Sequence, residues 1–132
     1  MQLGVRDRVR FTGLVKYSRL AEIYASSDVL LVTSEHEPYG LPVNEAMICG
    51  IPVIVSDRVG AGYDLVENGT TGFVYPCSNV TALASVLRQI LPDRGLLTSL
   101  GQSARARMET WSPRENADAT IQAIKKAMAN RE

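Results

Sequence analysis

Apolar and polar residues alternate along this chain in two patterns. Short apolar runs lie at residues 29–32, 52–55 and 73–75, and residues 9–13 alternate apolar and polar side chains and end in a glycine. Runs of this length are typical of buried strands, whereas the other segments repeat apolar residues every three or four positions, as helices do. Because strands that alternate with helices favour a parallel sheet, we predict an α/β fold with about four parallel strands and helices on both faces.

The ends of the helices carry their own signals. Ser18 and Asn79 are candidate N-caps, and Pro92 interrupts the pattern that Asn79 begins. Ser112 and Glu115 form a capping box around a proline, which suits the first helical position. Together with the periodicity, these signals predict helices over residues 19–25, 63–67, 80–91, 96–108 and 113–130.

A loop and a short helix connect the second and third predicted strands. Pro42 suits the first position of this helix, and Gly50 suits the left-handed position just after its end. The loop before Pro42 lies at the carboxyl end of its strand, the edge where open α/β sheets bind ligands. Gly40 allows close approach to the backbone there, and the start of the helix favours an anion such as phosphate.

Composition restricts the classes of function. The chain has 132 residues, within the range of one domain, and its formal net charge is zero. No strong field therefore attracts nucleic acid or an acidic membrane, and no apolar run reaches bilayer length. Cys49 and Cys77 lie in or beside apolar segments, and the N-terminus lacks the apolar core of a signal peptide. We therefore expect free thiols, no metal site and a cytoplasmic location.

The central loop and helix carry an ordered motif. Seven residues separate Glu37 from Glu45, Tyr39-Gly40-Leu41 lies between them, and Ala46-Met47 follows. With the flanking residues 49–54 and 68–74, this set resembles the donor-binding motif of group 1 glycosyltransferases. Members of that family are retaining, nucleotide-sugar-dependent enzymes of the GT-B fold. The resemblance covers nearly the whole chain and implies a partial Rossmann-like sheet, the later part of a C-terminal donor-binding domain.

The resemblance also implies roles for particular residues. Glu45 would bind the ribose hydroxyls of the donor, a task suited to a carboxylate that accepts two hydrogen bonds. Glu37 would lie at the transferred sugar as the catalytic residue and stabilise positive charge at the reacting carbon. Main-chain groups would supply the remaining donor contacts: Tyr39, Gly40, Leu41 and Val43 at the sugar and distal phosphate, and Leu14 and Val15 at the nucleobase. Neither a cofactor nor a metal is expected.

Other parts of the resembled enzymes have no match in residues 1–132. These are the N-terminal acceptor domain and the basic pair that binds the donor diphosphate. We therefore expect a fragment that binds the nucleotide sugar but is inactive alone, since one wall of a cleft cannot assemble the active site. We also expect self-association, through an open edge at residues 9–11 or through the last helix, whose apolar line includes Ile121 and Ile124.

Three other functions are open on the sequence. A sugar-nucleotide epimerase would share the fold and donor, and a non-catalytic nucleotide-binding module would share the sheet. A glycoside hydrolase could use Glu37 and Glu45 as its carboxylate pair, although a glutamate at a helix start fits donor binding better. Each glutamate also has a simpler interpretation, Glu45 as a complement to the helix dipole and Glu37 as a solvated loop acid.

Overall fold

A computed structural model describes residues 4–130, and the extreme ends of the predicted 1–132 domain lie outside that range. In this part of the chain, three strands form one parallel sheet in the order β1-β2-β3. They are β1 (Leu30–Val32), β2 (Val53–Ser56) and β3 (Gly72–Tyr75). The central strand β2 is entirely buried, as expected of a parallel strand covered on both faces.

Within residues 4–130, six helices accompany the sheet. Their bounds are α1 Leu20–Ala25, α2 Leu41–Ile48, α3 Gly60–Leu65, α4 Val80–Ile90, α5 Arg94–Glu109 and α6 Pro113–Ala129. Short 3₁₀ turns occupy Arg6–Arg8 and Tyr17–Arg19. The predicted α/β fold with helices on both faces is therefore confirmed.

The two faces of β2 belong to different hydrophobic clusters. Val53 and Val55 pack with α2 and α3, whereas Ile54 packs with residues of α4. Helix α5 contributes to both clusters, because Leu100 lies with Ile54 and Ala104 lies with the α2 side. Helix α5 thus packs against both hydrophobic clusters, one on each face of β2.

The predicted strand over residues 9–13 is wrong, and the sheet has three strands instead of about four. These residues form no strand, and Phe11 is 94% exposed. A strand requires a neighbour to pair its amides and carbonyls. Within residues 4–130 no neighbouring strand lies beside this segment, so its apolar pattern alone does not produce sheet structure.

Four helix starts also differ from the predictions, and one of them is α5, which begins at Arg94, two residues before the predicted start. Ser18 does not cap α1, because the chain already turns in the 3₁₀ segment Tyr17–Arg19 and the helix begins at Leu20. Pro42 occupies the second position of α2, after Leu41. Helix α3 begins at Gly60, three residues before the predicted start, because the amides of Gly60 and Ala61 donate to carbonyls of the loop after β1 and hold its first turn.

The caps of the later helices follow the sequence signals closely. The Asn79 side chain accepts a hydrogen bond from the amide of Ala82, as predicted, and Asp93 caps α5 in the same way without having been predicted as a cap. Ser112 and Glu115 form the predicted capping box at the start of α6. Gly50 has a φ of 75° just after α2, as the C′ position requires. Local hydrogen bonding therefore sets these boundaries.

Candidate functional site

The loop after β1 carries Glu37 and is fastened to the loop after β2. The amide of Glu37 donates to the carbonyl of Arg58 over 3.0 Å, and the amide of Gly60 donates to the carbonyl of Glu37 over 2.9 Å. Nearer the strands, the buried Ser56 hydroxyl donates to the carbonyl of Ser34 over 2.6 Å. These bonds extend the parallel pairing of β1 and β2 beyond their ends, so the backbone of Glu37 has a fixed place at the carboxyl edge.

Gly40 makes the turn from this loop into α2. Its φ is 98°, in the left-handed region that favours glycine. A Cβ atom at this position would lie 2.8 Å from Cγ1 of Val59, closer than such atoms approach in proteins. Both conformation and space therefore require glycine here, and the backbone at the start of α2 is held against the loop after β2.

The first amides of α2 lack an acceptor within the described part of the protein, and of their two residues Gly40 is buried and Leu41 exposed. Within residues 4–130, the amides of Gly40 and Leu41 donate to no protein acceptor, and Pro42 has no N–H. The amide of Val43 is engaged, because it donates to the carbonyl of Gly40 over 2.9 Å. Two neighbouring donors at a helix N-terminus form a place where a phosphate oxygen can bind.

Glu45 lies one turn into α2 and contacts α1. The hydroxyl of Tyr24 donates to Oε2 of Glu45 over 2.9 Å. Burial, together with this hydrogen bond to Glu45, raises the pKa of Tyr24 to about 12. The phenol therefore stays protonated at physiological pH and acts as a fixed donor to the carboxylate. Oε1 of Glu45 has no hydrogen-bond partner among the described residues.

The side chain of Glu37 folds back on its own loop. Its Oε1 accepts a long hydrogen bond of 3.3 Å from the amide of Tyr39, and the residue is half-buried. A carboxylate can accept about four hydrogen bonds. This single long bond therefore leaves most of the accepting capacity of Glu37 available at the carboxyl edge.

A groove of about 1000 Å³ lies on another side of α2. It runs between α2 and α6, past Trp111, and contacts the motif only through Tyr39 and Asn44. The side-chain Nδ2 of Asn44 donates to the hydroxyl of Tyr39 over 3.2 Å, while its buried Oδ1 has no partner among the described residues. Because neither Glu37 nor Glu45 lines this groove, its volume is no argument for a donor site.

The remaining predicted contacts fall in different surroundings. Leu41 is exposed beside its unbonded amide, whereas the Val43 side chain is fully buried in the core. Leu14 is fully exposed and Val15 half-buried, and neither belongs to the two buried clusters. Glu37 lies beside Gly40 just before α2, Leu41 begins the helix, and Glu45 lies one turn further on against α1, so their shared role in donor binding stays a prediction. The nucleobase role of Leu14 and Val15 stays a prediction.

Sequence reasoning missed the polar contact of Tyr24. Tyr24 lies in the predicted helix over residues 19–25, and its ring packs against the core. A tyrosine hydroxyl that is even partly buried nevertheless needs a hydrogen-bond partner. That requirement is the one signal that could have linked Tyr24 to a carboxylate on a neighbouring helix.

Comparison with known proteins identifies the class. Residues 1–107 match the family of glycosyl transferases, group 1. This match extends over most of the chain and includes the strand-loop-helix unit of Glu37 and Glu45. The chain therefore belongs to the group 1 glycosyl transferases.

Individual relatives agree with this assignment. N-acetyl-alpha-D-glucosaminyl L-malate synthase of Bacillus anthracis is 39% identical over 103 residues, which are 78% of this chain and 26% of that protein. The structure of sucrose-phosphate synthase from Thermosynechococcus elongatus has a TM-score of 0.79 at 30% identity, over 97% of this chain and 32% of that one. Anabaena HepE in complex with UDP-glucose has a TM-score of 0.76 at 27% identity, over 97% and 34%.

The chain is much shorter than these proteins. It spans between 26% and 34% of the length of the three. Across residues 4–130, no helix combines the length and the apolar character needed to cross a bilayer.

Proposed function

We propose that this chain binds the nucleotide-sugar donor of a retaining glycosyltransferase. The observation that carries the proposal is the start of α2, where two unbonded amides, those of Gly40 and Leu41, lie between Glu37 and Glu45 along the chain. Amides at a helix start favour a phosphate, and the flanking carboxylates can accept hydrogen bonds from hydroxyl groups. A nucleoside diphosphate sugar offers hydroxyls on both sides of a diphosphate.

The two glutamates take different parts of this donor. Glu45, held by Tyr24, accepts the ribose hydroxyls. Glu37, whose backbone is bonded to Arg58 and Gly60, faces the transferred sugar. There its negative charge stabilises the positive charge that develops at the reacting carbon. Family membership supports these roles, and the comparisons do not favour the epimerase or the non-catalytic module.

Main-chain groups supply the remaining contacts of the proposal. The amides of Gly40 and Leu41 bind the distal phosphate, and the exposed backbone around Tyr39 faces the sugar. A direct contact from the amide of Val43 would compete with its bond to Gly40. We expect the reaction to need no metal, and the second wall of the cleft to come from an N-terminal acceptor domain, as the family resemblance implies.

Calorimetric titration with UDP, GDP and ADP tests donor binding. UDP is the first choice because HepE was solved with UDP-glucose. A charged hydrogen bond contributes about 1.5–3 kcal/mol, and each 1.4 kcal/mol is a factor of about ten in affinity. Glu45→Gln should therefore weaken binding about tenfold or more with little change in melting temperature.

The matched control is Glu109→Gln, which makes the same change at an exposed position at the end of α5. It should leave nucleotide binding unchanged. If Glu45→Gln bound UDP as tightly as the parent chain, the proposal that Glu45 binds the ribose hydroxyls would be wrong.

Turnover is tested separately from binding. We expect the purified chain to transfer no sugar from UDP-glucose, because a reaction that needs groups from both walls of a cleft cannot proceed on one wall. Glu37→Ala serves as the background. Turnover above this background would show that the chain assembles a complete active site.

A further inference from the structure

Tyr24 lies outside the glutamate motif yet holds one of its carboxylates. The ring of Tyr24 packs against the buried cluster that contains Val43, Ala46 and Met47 of α2. Its hydroxyl reaches Oε2 of Glu45 over 2.9 Å. The position of the hydroxyl is therefore set by the packing of α1 against α2, and the packed ring restricts its movement.

The hydrogen bond restrains a side chain that would otherwise be mobile. Glu45 is half-buried, and a glutamate has three rotatable side-chain bonds whose freedom is lost when a ligand fixes it. No cation pairs with Glu45 among the described residues. In the absence of ligand, the hydrogen bond from Tyr24 restricts the conformations of the Glu45 carboxylate. Less side-chain entropy is therefore lost when a nucleotide binds.

The same bond leaves enough accepting capacity for a ligand. A carboxylate offers about four lone-pair positions, and the Tyr24 hydroxyl uses one of them. Oε1 is unbonded, and Oε2 can accept one hydrogen bond more. The two hydroxyls of a ribose can therefore bind while Tyr24 stays in place.

We propose that Tyr24 is a positioning residue for ribose recognition, which orients the Glu45 carboxylate toward the two hydroxyls of the nucleotide. This inference rests on the proposed donor-binding function and adds to it a residue outside the motif. Because Tyr24 acts through Glu45, its removal should weaken the recognition of the ribose hydroxyls and leave the phosphate contacts at Gly40 and Leu41 in place.

The test compares UDP with 2′,3′-dideoxy-UDP on four proteins by calorimetric titration. The parent chain should prefer UDP about tenfold or more, and Glu45→Gln should abolish the preference. Tyr24→Phe should reduce it to about threefold or less while binding of the dideoxy compound stays nearly constant. The control Tyr63→Phe also loses a hydroxyl, which donates to the Asp57 carbonyl over 2.8 Å, and should keep the full preference.

The outcomes separate this inference from the proposed function. If the parent and Glu45→Gln behave as stated but Tyr24→Phe keeps the full preference, Tyr24 has only a packing role and the inference is wrong. If the parent chain shows no preference for UDP, Glu45 does not bind ribose, and both proposals fail. If Tyr24→Phe lowered the affinity for UDP and for the dideoxy compound by the same factor, the cause would be a general loss of stability. That result would also contradict a positioning role for Tyr24.

A second measurement does not depend on the folding of the variant. In proton NMR spectra of the parent chain, a hydroxyl hydrogen-bonded to a carboxylate gives a downfield resonance when its exchange is slow. The Tyr24 hydroxyl signal should shift when UDP is added and should not shift with the dideoxy compound. An equal response to the two nucleotides would overturn the inference.

Discussion

A Cβ atom placed on Gly60 would lie 2.1 Å from the carbonyl oxygen of Pro38. Gly60 begins α3, and Pro38 follows Glu37 in the loop after β1. The amide of Gly60 also donates to the carbonyl of Glu37. The absence of a side chain at Gly60 therefore allows the start of α3 to lie directly on the loop that carries the proposed catalytic glutamate.

Gly60→Ala should destabilise the protein by about 1–3 kcal/mol, the usual cost of an added methyl group in a packed site, and should weaken nucleotide binding. The added atom must displace either the Glu37 loop or the first turn of α3. Urea denaturation and UDP titration measure the two effects. Gly95→Ala is the control, because a Cβ atom there meets only the end of the Asp93 side chain at 3.3 Å. Unchanged stability in Gly60→Ala would mean that the loop is not fastened to α3.

Gly101→Ala should also destabilise the chain by about 1–3 kcal/mol, but through the core. A Cβ atom at Gly101 would lie 2.1 Å from the carbonyl oxygen of Gly50, so α5 approaches the end of α2 through two glycines. Denaturation curves measure the loss, with Gly95→Ala as a control in the same helix. An equal or higher stability in Gly101→Ala would show that α5 can move away from α2 at little cost.

Stability should decline as the pH rises from 10 to 12. The pKa of Tyr24 is about 12 in the folded chain against an ordinary value of 10.0, and burial also raises the pKa of Tyr75. Above pH 10 the unfolded chain loses the phenolic protons before the folded chain does, which favours unfolding. Melting temperatures measured across this range should fall less steeply in Tyr24→Phe than in the parent chain. If the melting temperatures of the two proteins fell equally with pH, the loss of stability would come from groups other than Tyr24.

The chain should associate as its concentration rises. In α6, Ile121, Ile124 and Met128 are 48%, 54% and 68% exposed, and exposed apolar lines attract other chains. Light scattering across a concentration series measures the mass. Ile124→Glu should lower the association, whereas Gln122→Glu introduces the same charge at another exposed position of the helix and should have less effect. A strictly monomeric parent chain would contradict the expectation.

Many features of the fold could be predicted because they depend on neighbours in sequence. The runs around Val53 and Phe73 are strands, and Asn79 and Ser112 cap their helices within three residues. The left-handed turn at Gly50 follows from the same local chemistry. The strand over residues 9–13 failed because a strand depends on a partner, which an apolar pattern cannot provide.

The candidate site divides in the same way. Glu37, Gly40 and Glu45 were found from their spacing, which is a property of consecutive residues. The hydrogen bond from Tyr24 to Glu45 joins residues 21 positions apart and exists only because α1 packs against α2.

By itself, the sequence determined the class of fold, the helix boundaries that depend on caps, and the motif that places this chain among the group 1 glycosyl transferases. Hydrogen bonds within a few residues and the periodicity of apolar side chains carry that information. Tertiary structure decided which amides at the start of α2 stay unbonded, how the Glu37 loop rests on Gly60, and which side chain holds Glu45. These features depend on distances between segments far apart in the chain, which are set only when the core packs.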